Sequence, residues 1–406
     1  MDRTTFLGKD NMNNRNLIIF TSTFPYGFAE PFLEEELPYL AKHFEKIIIF
    51  PFRISEKKLR AVPPNCVVSK PIVYGRFDQY LKGLFNARAF CVFIRDFFSK
   101  KVYANKLRLK TWIIAYIQTA ALLNSKAVRQ LFDEICETDV CYFYWGKGAL
   151  NLSYFYKGKA KYVARFHGEW DLWEESSGNY APIRQKISES LDLAAFISKK
   201  GEAYFHSKYT NCPTGFYPLG TNDIGVMPDT KDDAILNIVS CSTVYPLKRV
   251  PLIFQALNNM KNVKIHWTHL GGGSHFDELK KLVEKERKEH LSVDLLGMFT
   301  HDQVMDWYKN NHADLFINMS TNEGVPVSIM EAASFNIPIL AINVGGTSEI
   351  VQPQVGELLS SNPEIDEICS LIKKMGETHY EPREFWKMHY SASTNYNSFA
   401  LKLKTL

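Results

Sequence analysis

The chain has 406 residues, 46% of them hydrophobic, which is enough for two domains with separate cores. Its formal charge of +4 is too small to mark nucleic acid as a partner of the whole molecule. Its seven cysteines are scattered, odd in number and without a C-x-x-C pair, which excludes a disulfide framework or a zinc ribbon and fits a reducing cytoplasm.

The first residues, M-D-R-T-T-F-L-G-K-D, are polar and lack the apolar core of a secretory signal. The longest apolar-rich run, Trp112 to Leu123, is too short to span a bilayer, so no transmembrane anchor is expected. Leu17 to Phe20 reads as a short buried strand, followed by the turn-rich loop T-S-T-F-P-Y-G-F-A-E-P-F and a helix from about Pro31 to His43. Lys46 to Phe50 is the next strand. After Pro63-Pro64 a mostly helical insert, about 74–136, interrupts the alternation. Within it, Tyr74 to Trp112 carries nine Lys/Arg against Asp78 and Asp96, a local excess larger than the charge of the entire chain. Strand-like runs recur at Val140 to Phe143, Lys161 to Phe166 and Leu193 to Ile197, so the first half reads as a doubly wound domain. The polar segment P-D-T-K-D-D has linker composition and places a boundary near 222–232. Beyond it, strands are expected near 235, 263, 292, 313, 337 and 355, with helices near 248, 275, 301, 327, 347 and 364. This gives domains at 1–222 and 232–384, with a terminal helix in 385–406.

The most informative stretch is Thr321 to Ala333, T-N-E-G-V-P-V-S-I-M-E-A-A. Pro326 suits the first helical position, which would leave the amides of Val327, Ser328 and Ile329 pointing out of an anion-attracting helix end. Glu331 lies one turn further on, with its side chain leaning back toward that end, and Glu323 precedes it. Each acid also has a bland explanation, as a partner for the helix dipole or a solvated surface group. A second strand end, V-S-C-S-T-V-Y-P-L, leads to Lys248-Arg249, a cation pair suited to a diphosphate or simply two surface charges. Leu270-Gly271-Gly272-Gly273-Ser274 permits close backbone approach to a ligand or is a tight turn; Phe276 stands where a dinucleotide fingerprint would have its third Gly. His167 ends a strand in A-R-F-H-G and could donate to an oxyanion, although a lone His is more often structural. His266 and His269, three apart on a strand, would face opposite sides of the sheet. In the insert, Phe90, Phe93, Ile94, Phe97 and Phe98 recur at helical spacing, as in an interfacial amphipathic helix or a helix packed on a sheet. No metal-ligand spacing, G-x-S-x-G or D-x-D pair is present.

Taken together these motifs resemble the family-4 retaining glycosyltransferases of the GT-B fold, of the bacterial capsule, O-antigen and exopolysaccharide type. E-G-V-P-V-S-I-M-E-A is similar to that family's E-x7-E signature, and the cation pair resembles its diphosphate-binding loop. H-L-G-G-G-S, G-M-F and V-G-G-T-S-E-I-V then follow in family order. F-P-Y-G-F-A-E-P-F-L-E-E-E-L is similar to the first loop of bacterial polysaccharide transferases, and R-F-H-G matches the place of the family's active-site His. The resemblance spans about Leu17 to Ala400, with the segment between Arg53 and Thr138 unmatched.

It implies an α/β protein of two Rossmann-like domains facing each other across a cleft, with the terminal helix crossing back to the first. It also implies a set of roles. Glu323 would lie beside the donor sugar, with Gly324, Val325, Pro326 and Val327 facing sugar and phosphate through their backbone. Glu331 would hold the ribose, and Gly272 and Gly297 would line the donor site. Lys248 with Arg249 would neutralise the departing diphosphate, Arg249 replacing an Arg that the family commonly has where this chain has Ser242-Thr243. His167 would contact sugar or phosphate, and Tyr26, Gly27 and Glu30 would face the acceptor. The reaction would need neither cofactor nor metal, using a UDP- or GDP-linked sugar as co-substrate and a glycan or lipid-linked glycan as acceptor. The expected location is cytoplasmic, with peripheral contact to an anionic inner-membrane surface. A sugar-nucleotide epimerase of the same fold and a silent nucleotide- or glycan-binding subunit are the alternatives.

Overall fold

A computed structural model describes residues 15–27, 29–54, 56, 58–168, 171–230 and 234–406. The polar N-terminal stretch and residues 231–233 of the expected linker lie outside the described residues. The chain divides into two compact units, one running to Pro218 and taking in Tyr396–Leu406, the other covering Leu219–Asn395.

The first unit is built on strands β1 (Leu17–Thr21), β2 (Ile47–Pro51), β3 (Cys66–Val68), β4 (Val140–Phe143), β5 (Lys161–Phe166), β6 (Leu193–Phe196) and β7 (Thr214–Phe216). They form one sheet in the order β3-β2-β1-β4-β5-β6-β7, and every pair is parallel. Leu-Ile-Ile-Phe in β1 and Ile-Ile-Ile-Phe in β2 are buried throughout, as strands covered on both faces must be. The sequence reading missed β3 and β7, three-residue edge strands too short to show a period. Helix α1 (Pro31–His43) buries Leu33, Glu36, Leu37 and Leu40, a helical stripe with an acid inside it. Glu36 pairs through one carboxylate oxygen with Arg165 of β5, both side chains being fully buried, and that guanidinium lies 4.4 Å over the ring of Phe399. Between β3 and β4 run α2 (Arg76–Gly83), α3 (Ala87–Ser99), α4 (Lys106–Asn124) and α5 (Lys126–Glu134), the section expected to be helical. Helices α6 (Leu152–Phe155), α7 (Arg184–Ser188) and α8 (Lys199–Lys208) complete the alternation.

The second unit has strands β8 (Ile235–Cys241), β9 (Lys264–Leu270), β10 (Leu291–Leu295), β11 (Leu315–Asn318), β12 (Ile339–Ile342) and β13 (Gly356–Leu359). Their order is β10-β9-β8-β11-β12-β13, again parallel throughout. Helices α9 (Val250–Asn259), α10 (Phe276–Glu286), α11 (His301–Asn310), α12 (Val327–Ser334), α13 (Thr347–Ile350), α14 (Ile365–Gly376) and α15 (Pro382–His389) alternate with them. A final helix, α16 (Ala392–Lys404), contributes Phe399, Ala400 and Leu403 to the core of the first unit.

Both sheets reverse their winding direction, between β1 and β4 and between β8 and β11. In open α/β sheets ligands bind beyond the carboxyl ends of the strands at such a reversal. Among the described residues no helix is long and apolar enough to cross a membrane.

Candidate functional site

The loops after β8 and β11 flank the reversal of the second sheet, and the backbone ties them together. The Thr321 N–H donates to the Leu247 carbonyl at 2.8 Å, which holds the tight turn Pro246–Lys248 against the start of the acidic loop. Lys248 Nζ is thereby placed 2.6 Å from Glu323 Oε1, with only 20% and 13% of the two side chains exposed. Asn318, at the end of β11, brings its amide nitrogen to 3.5 Å of the same oxygen. The sequence separates this acid and this cation by 75 positions, and the fold makes them an ion pair at the strand ends.

Arg249 departs from expectation. Its backbone is left-handed, with φ 45°, where it caps α9. That turns its guanidinium away from the pair. Nε donates to the Met319 carbonyl at 3.0 Å and the two terminal nitrogens to Asn362 Oδ1 and the Ser361 carbonyl at 3.3 and 3.1 Å. Adjacent residues therefore do different work: Lys248 faces Glu323, and Arg249 clamps the loops.

Pro326 is the cap of α12 with ψ 109°, so the helix begins one residue later than the sequence suggested. The Ile329 amide bonds back to the Pro326 carbonyl at 3.2 Å, leaving Val327 and Ser328 as the outward amides at this end. Glu331 follows one turn in, 8% exposed, and His301 Nε2 lies 3.0 Å from its Oε1. His301, the first residue of α11, was not singled out from sequence. The loop is backed by Gly345 and Gly346, whose amide donates to the Gly324 carbonyl at 2.7 Å. On the other side, the Gly271 amide bonds the Gly297 carbonyl at 2.9 Å, and the Gly272 carbonyl accepts from Val244 at 2.8 Å, so the ends of β8, β9 and β10 meet. A Cβ on Gly273, where φ is 154°, would lie 2.5 Å from the Val244 carbonyl oxygen, which explains the glycine run as close packing of loops. Val325 is buried at 7% exposure. His266 and His269 do face opposite sides, one paired with Asp294 at 2.9 Å and the other buried against Ser240 at 2.8 Å.

In the first unit, His167 follows β5 and is partly buried between the rings of Tyr144 and Trp145, each 4.7 Å away. Asp171 secures the turn, accepting from the amides of His167, Gly168 and Gly146 at 2.9–3.0 Å. The imidazole Nε2 lies 2.9 Å from the Tyr144 carbonyl. A carbonyl only accepts, so Nε2 carries the proton and Nδ1 is left as an acceptor. Burial, reinforced by nearby Arg165, pushes the pKa of this ring down to about 3. The expectation that His167 donates to an oxyanion is therefore corrected: it is neutral, its N–H is engaged, and it can accept from a hydroxyl.

Glu30 is corrected as well. It is 4% exposed, and its carboxylate accepts from the amides of Ser22, Thr23 and Phe24 at 2.7–2.8 Å and from Trp145 Nε1 at 2.7 Å. With every lone pair employed, it shapes the loop and steadies the Trp145 ring that packs on His167. Tyr26 and Gly27 lie in the same loop, bonded to Thr23 and Lys58 through their amides.

Two rings held in the neutral state, His167 and His269, give a pH signature. Burial also lowers the pKa of His269, to about 4. The unfolded chain takes up protons near 6.5, whereas these rings stay neutral until about 3 and about 4. Their contribution is complete above pH 6.5 and is lost as pH falls below it, by up to about 1.4 kcal/mol per pH unit for each ring. We expect the imidazole NMR signals of both to stay constant between about pH 7 and about pH 5. Titration of His167 near the ordinary value would contradict the assignment.

Residues 230–387 match the family model of the glycosyl transferases group 1. The second unit carries a group 1 glycosyltransferase domain. This group 1 domain contains Lys248, Glu323 and Glu331, so the acid–cation pair lies inside the matched region. Over 137 residues the chain is 30% identical to the O-antigen biosynthesis glycosyltransferase WbnH of Escherichia coli. That stretch covers 34% of this chain and 36% of WbnH, so the chain matches about a third of the length of that relative. The lipopolysaccharide outer core galactosyltransferase WaaB superposes with a TM-score of 0.65 at 13% identity, covering 97% of this chain and 100% of WaaB. Anabaena HepE, solved in complex with UDP and glucose, superposes at 0.60 with 16% identity, covering 97% and 100%. The fold of the chain is accordingly GT-B, two parallel-sheet α/β domains.

Proposed function

We propose that the protein is a retaining, metal-independent glycosyltransferase. It would move a sugar from a UDP- or GDP-linked donor to a glycan or lipid-linked glycan in surface polysaccharide synthesis. The observation that carries this reading is the Lys248–Glu323 pair at 2.6 Å, set at the sheet reversal beside the start of α12. A diphosphate there meets the Lys248 ammonium and the Val327 and Ser328 amides, fixed charges that stabilise the leaving group as the bond to the sugar breaks. Glu323 and the Gly324–Val327 backbone would hold the transferred sugar. Glu331, steadied by His301, would accept from the ribose hydroxyls. Gly272 and Gly297 would let the backbone approach the nucleotide. The polysaccharide setting draws support from the names of WbnH and WaaB, and the nucleotide class from the UDP bound by HepE.

The test is a thermal-shift panel of UDP-, GDP- and ADP-sugars, because a ligand bound only to the native state raises its stability by mass action. One nucleotide class should stabilise the protein. Glu331→Ala should weaken its binding about 10- to 100-fold, the loss of charge-assisted hydrogen bonds of about 1.5–3 kcal/mol. With acceptor present, the product should keep the donor's anomeric configuration. A flat panel would point to a silent subunit, and an altered sugar nucleotide released without acceptor would point to an epimerase.

A further inference from the structure

The helical insert turns an apolar face outward. Helix α2 buries only Gly83, where an added Cβ would lie 2.4 Å from the Ile117 carbonyl oxygen of α4, so the helix docks through its glycine. Phe77, Tyr80, Leu81 and Leu84 recur at the spacing of one helical face, and all are more than half exposed, Phe77 at 77% and Leu84 at 70%. Phe85, 63% exposed, continues the face, its ring 6.0 Å from that of Phe90 on α3. On α4, Ile113 and Ile114, within one turn of Ile117, are 42% and 45% exposed. The stripe singled out on α3 is divided instead: Phe93 is fully buried and donates nothing to the surface, while Phe90 and Phe98 are exposed.

The exposed charge of this segment is mainly positive. Of the nine cations between Tyr74 and Trp112, Arg76, Arg95, Lys100, Lys101, Lys106 and Lys110 make no side-chain hydrogen bond or ion pair among the described residues, and all are exposed. The two acids are spent internally. Asp78 pairs with Lys82 at 2.8 Å, and Asp96 is buried against the Tyr180 hydroxyl. An exposed apolar helical face within a segment whose exposed cations outnumber its acids is complementary to a surface that is apolar inside and anionic at its rim.

We propose that α2 and the neighbouring turns of α3 and α4 dock on an anionic lipid bilayer, with Phe77, Leu81 and Leu84 entering the headgroup–acyl boundary and the cations on lipid phosphates. This deepens the functional reading, since it puts the enzyme where a lipid-linked acceptor lies, but it stands on the insert alone. The test is flotation of the full chain with vesicles of phosphatidylcholine, or of equal parts phosphatidylcholine and phosphatidylglycerol. The protein should float with the anionic vesicles only and be partly released by high salt. The triple variant Phe77→Ser/Leu81→Ser/Leu84→Ser should partition at least about tenfold more weakly. Its melting curve and its nucleotide-sugar thermal shift should be those of wild type, because the three side chains are exposed. Arg76→Glu/Lys106→Glu/Lys110→Glu should also abolish flotation. Two results overturn the proposal: wild-type protein that stays at the bottom with anionic vesicles, or a triple Ser variant that floats unchanged. A wild-type dimer converted to monomer by the triple Ser change would give the face to a second copy instead. Failure of the transferase reading shows separately, as a flat nucleotide panel with flotation intact.

Discussion

Lys248→Ala is expected to lower kcat/KM for sugar transfer by about two to three orders of magnitude, the usual cost of removing one preorganised charge-stabilising group. The variant loses the cation for the leaving diphosphate and also leaves Glu323, 13% exposed, with its charge unmatched. That uncompensated carboxylate would repel the incoming donor, so KM should rise together with the fall in kcat. The double variant Lys248→Met/Glu323→Gln separates the two effects. With the repulsion gone, donor affinity should recover part of its loss while turnover stays low, and the pair should show a coupling of about 0.5–3 kcal/mol. Arg249→Ala is a contrast at the next position. Its guanidinium is held by the Met319 and Ser361 carbonyls, so the change should cost stability of the loops more than leaving-group stabilisation. Transfer at wild-type rate by Lys248→Ala would remove the site from the mechanism altogether.

The parts legible in the sequence are those written in apolar runs. Leu-Ile-Ile-Phe, Ile-Ile-Ile-Phe and the strand runs of the second half announce a parallel sheet, because a strand covered on both faces has no polar side to interrupt it. The acid, the cation and the glycines of the second unit were visible for a related reason, since they stand at strand ends where little else explains them. What could not be read is direction. Lys248 and Arg249 are neighbours, and a left-handed φ of 45° sends one to Glu323 and the other to the 361–362 loop. Glu30 looked available in sequence and is consumed by three amides and an indole. His301 carries no pattern of its own, because its meaning comes from Glu331 on a different helix. The same limit applies to α2: periodicity shows that a helix has an apolar face but not which way that face is turned.

Gly345→Ala is expected to lower activity strongly although Gly345 itself is not proposed to meet substrate, because it backs the Glu323 loop. Gly345 has φ 55°, and a Cβ there would stand 1.7 Å from the Glu323 carbonyl oxygen. A left-handed Ala costs about 1–2 kcal/mol and overpacking about 1–3 kcal/mol more, so the variant should melt earlier yet remain folded. Relief requires the Glu323–Gly324 backbone to retreat by about 1 Å or more, and a shift of that size in a positioning element can cost about 100-fold in rate. The retreat would also strain the bond from the Gly346 amide to the Gly324 carbonyl, 2.7 Å in the native loop, and move Glu323 relative to Lys248. The loss should therefore appear in kcat and in the donor-induced thermal shift together. Gly376→Ala is the matched control, because an added Cβ at the end of α14 meets nothing within 4 Å. It should be neutral or slightly stabilising. Full activity in Gly345→Ala would mean that the position of the Glu323 loop does not matter to the reaction, which is incompatible with a sugar held by its backbone.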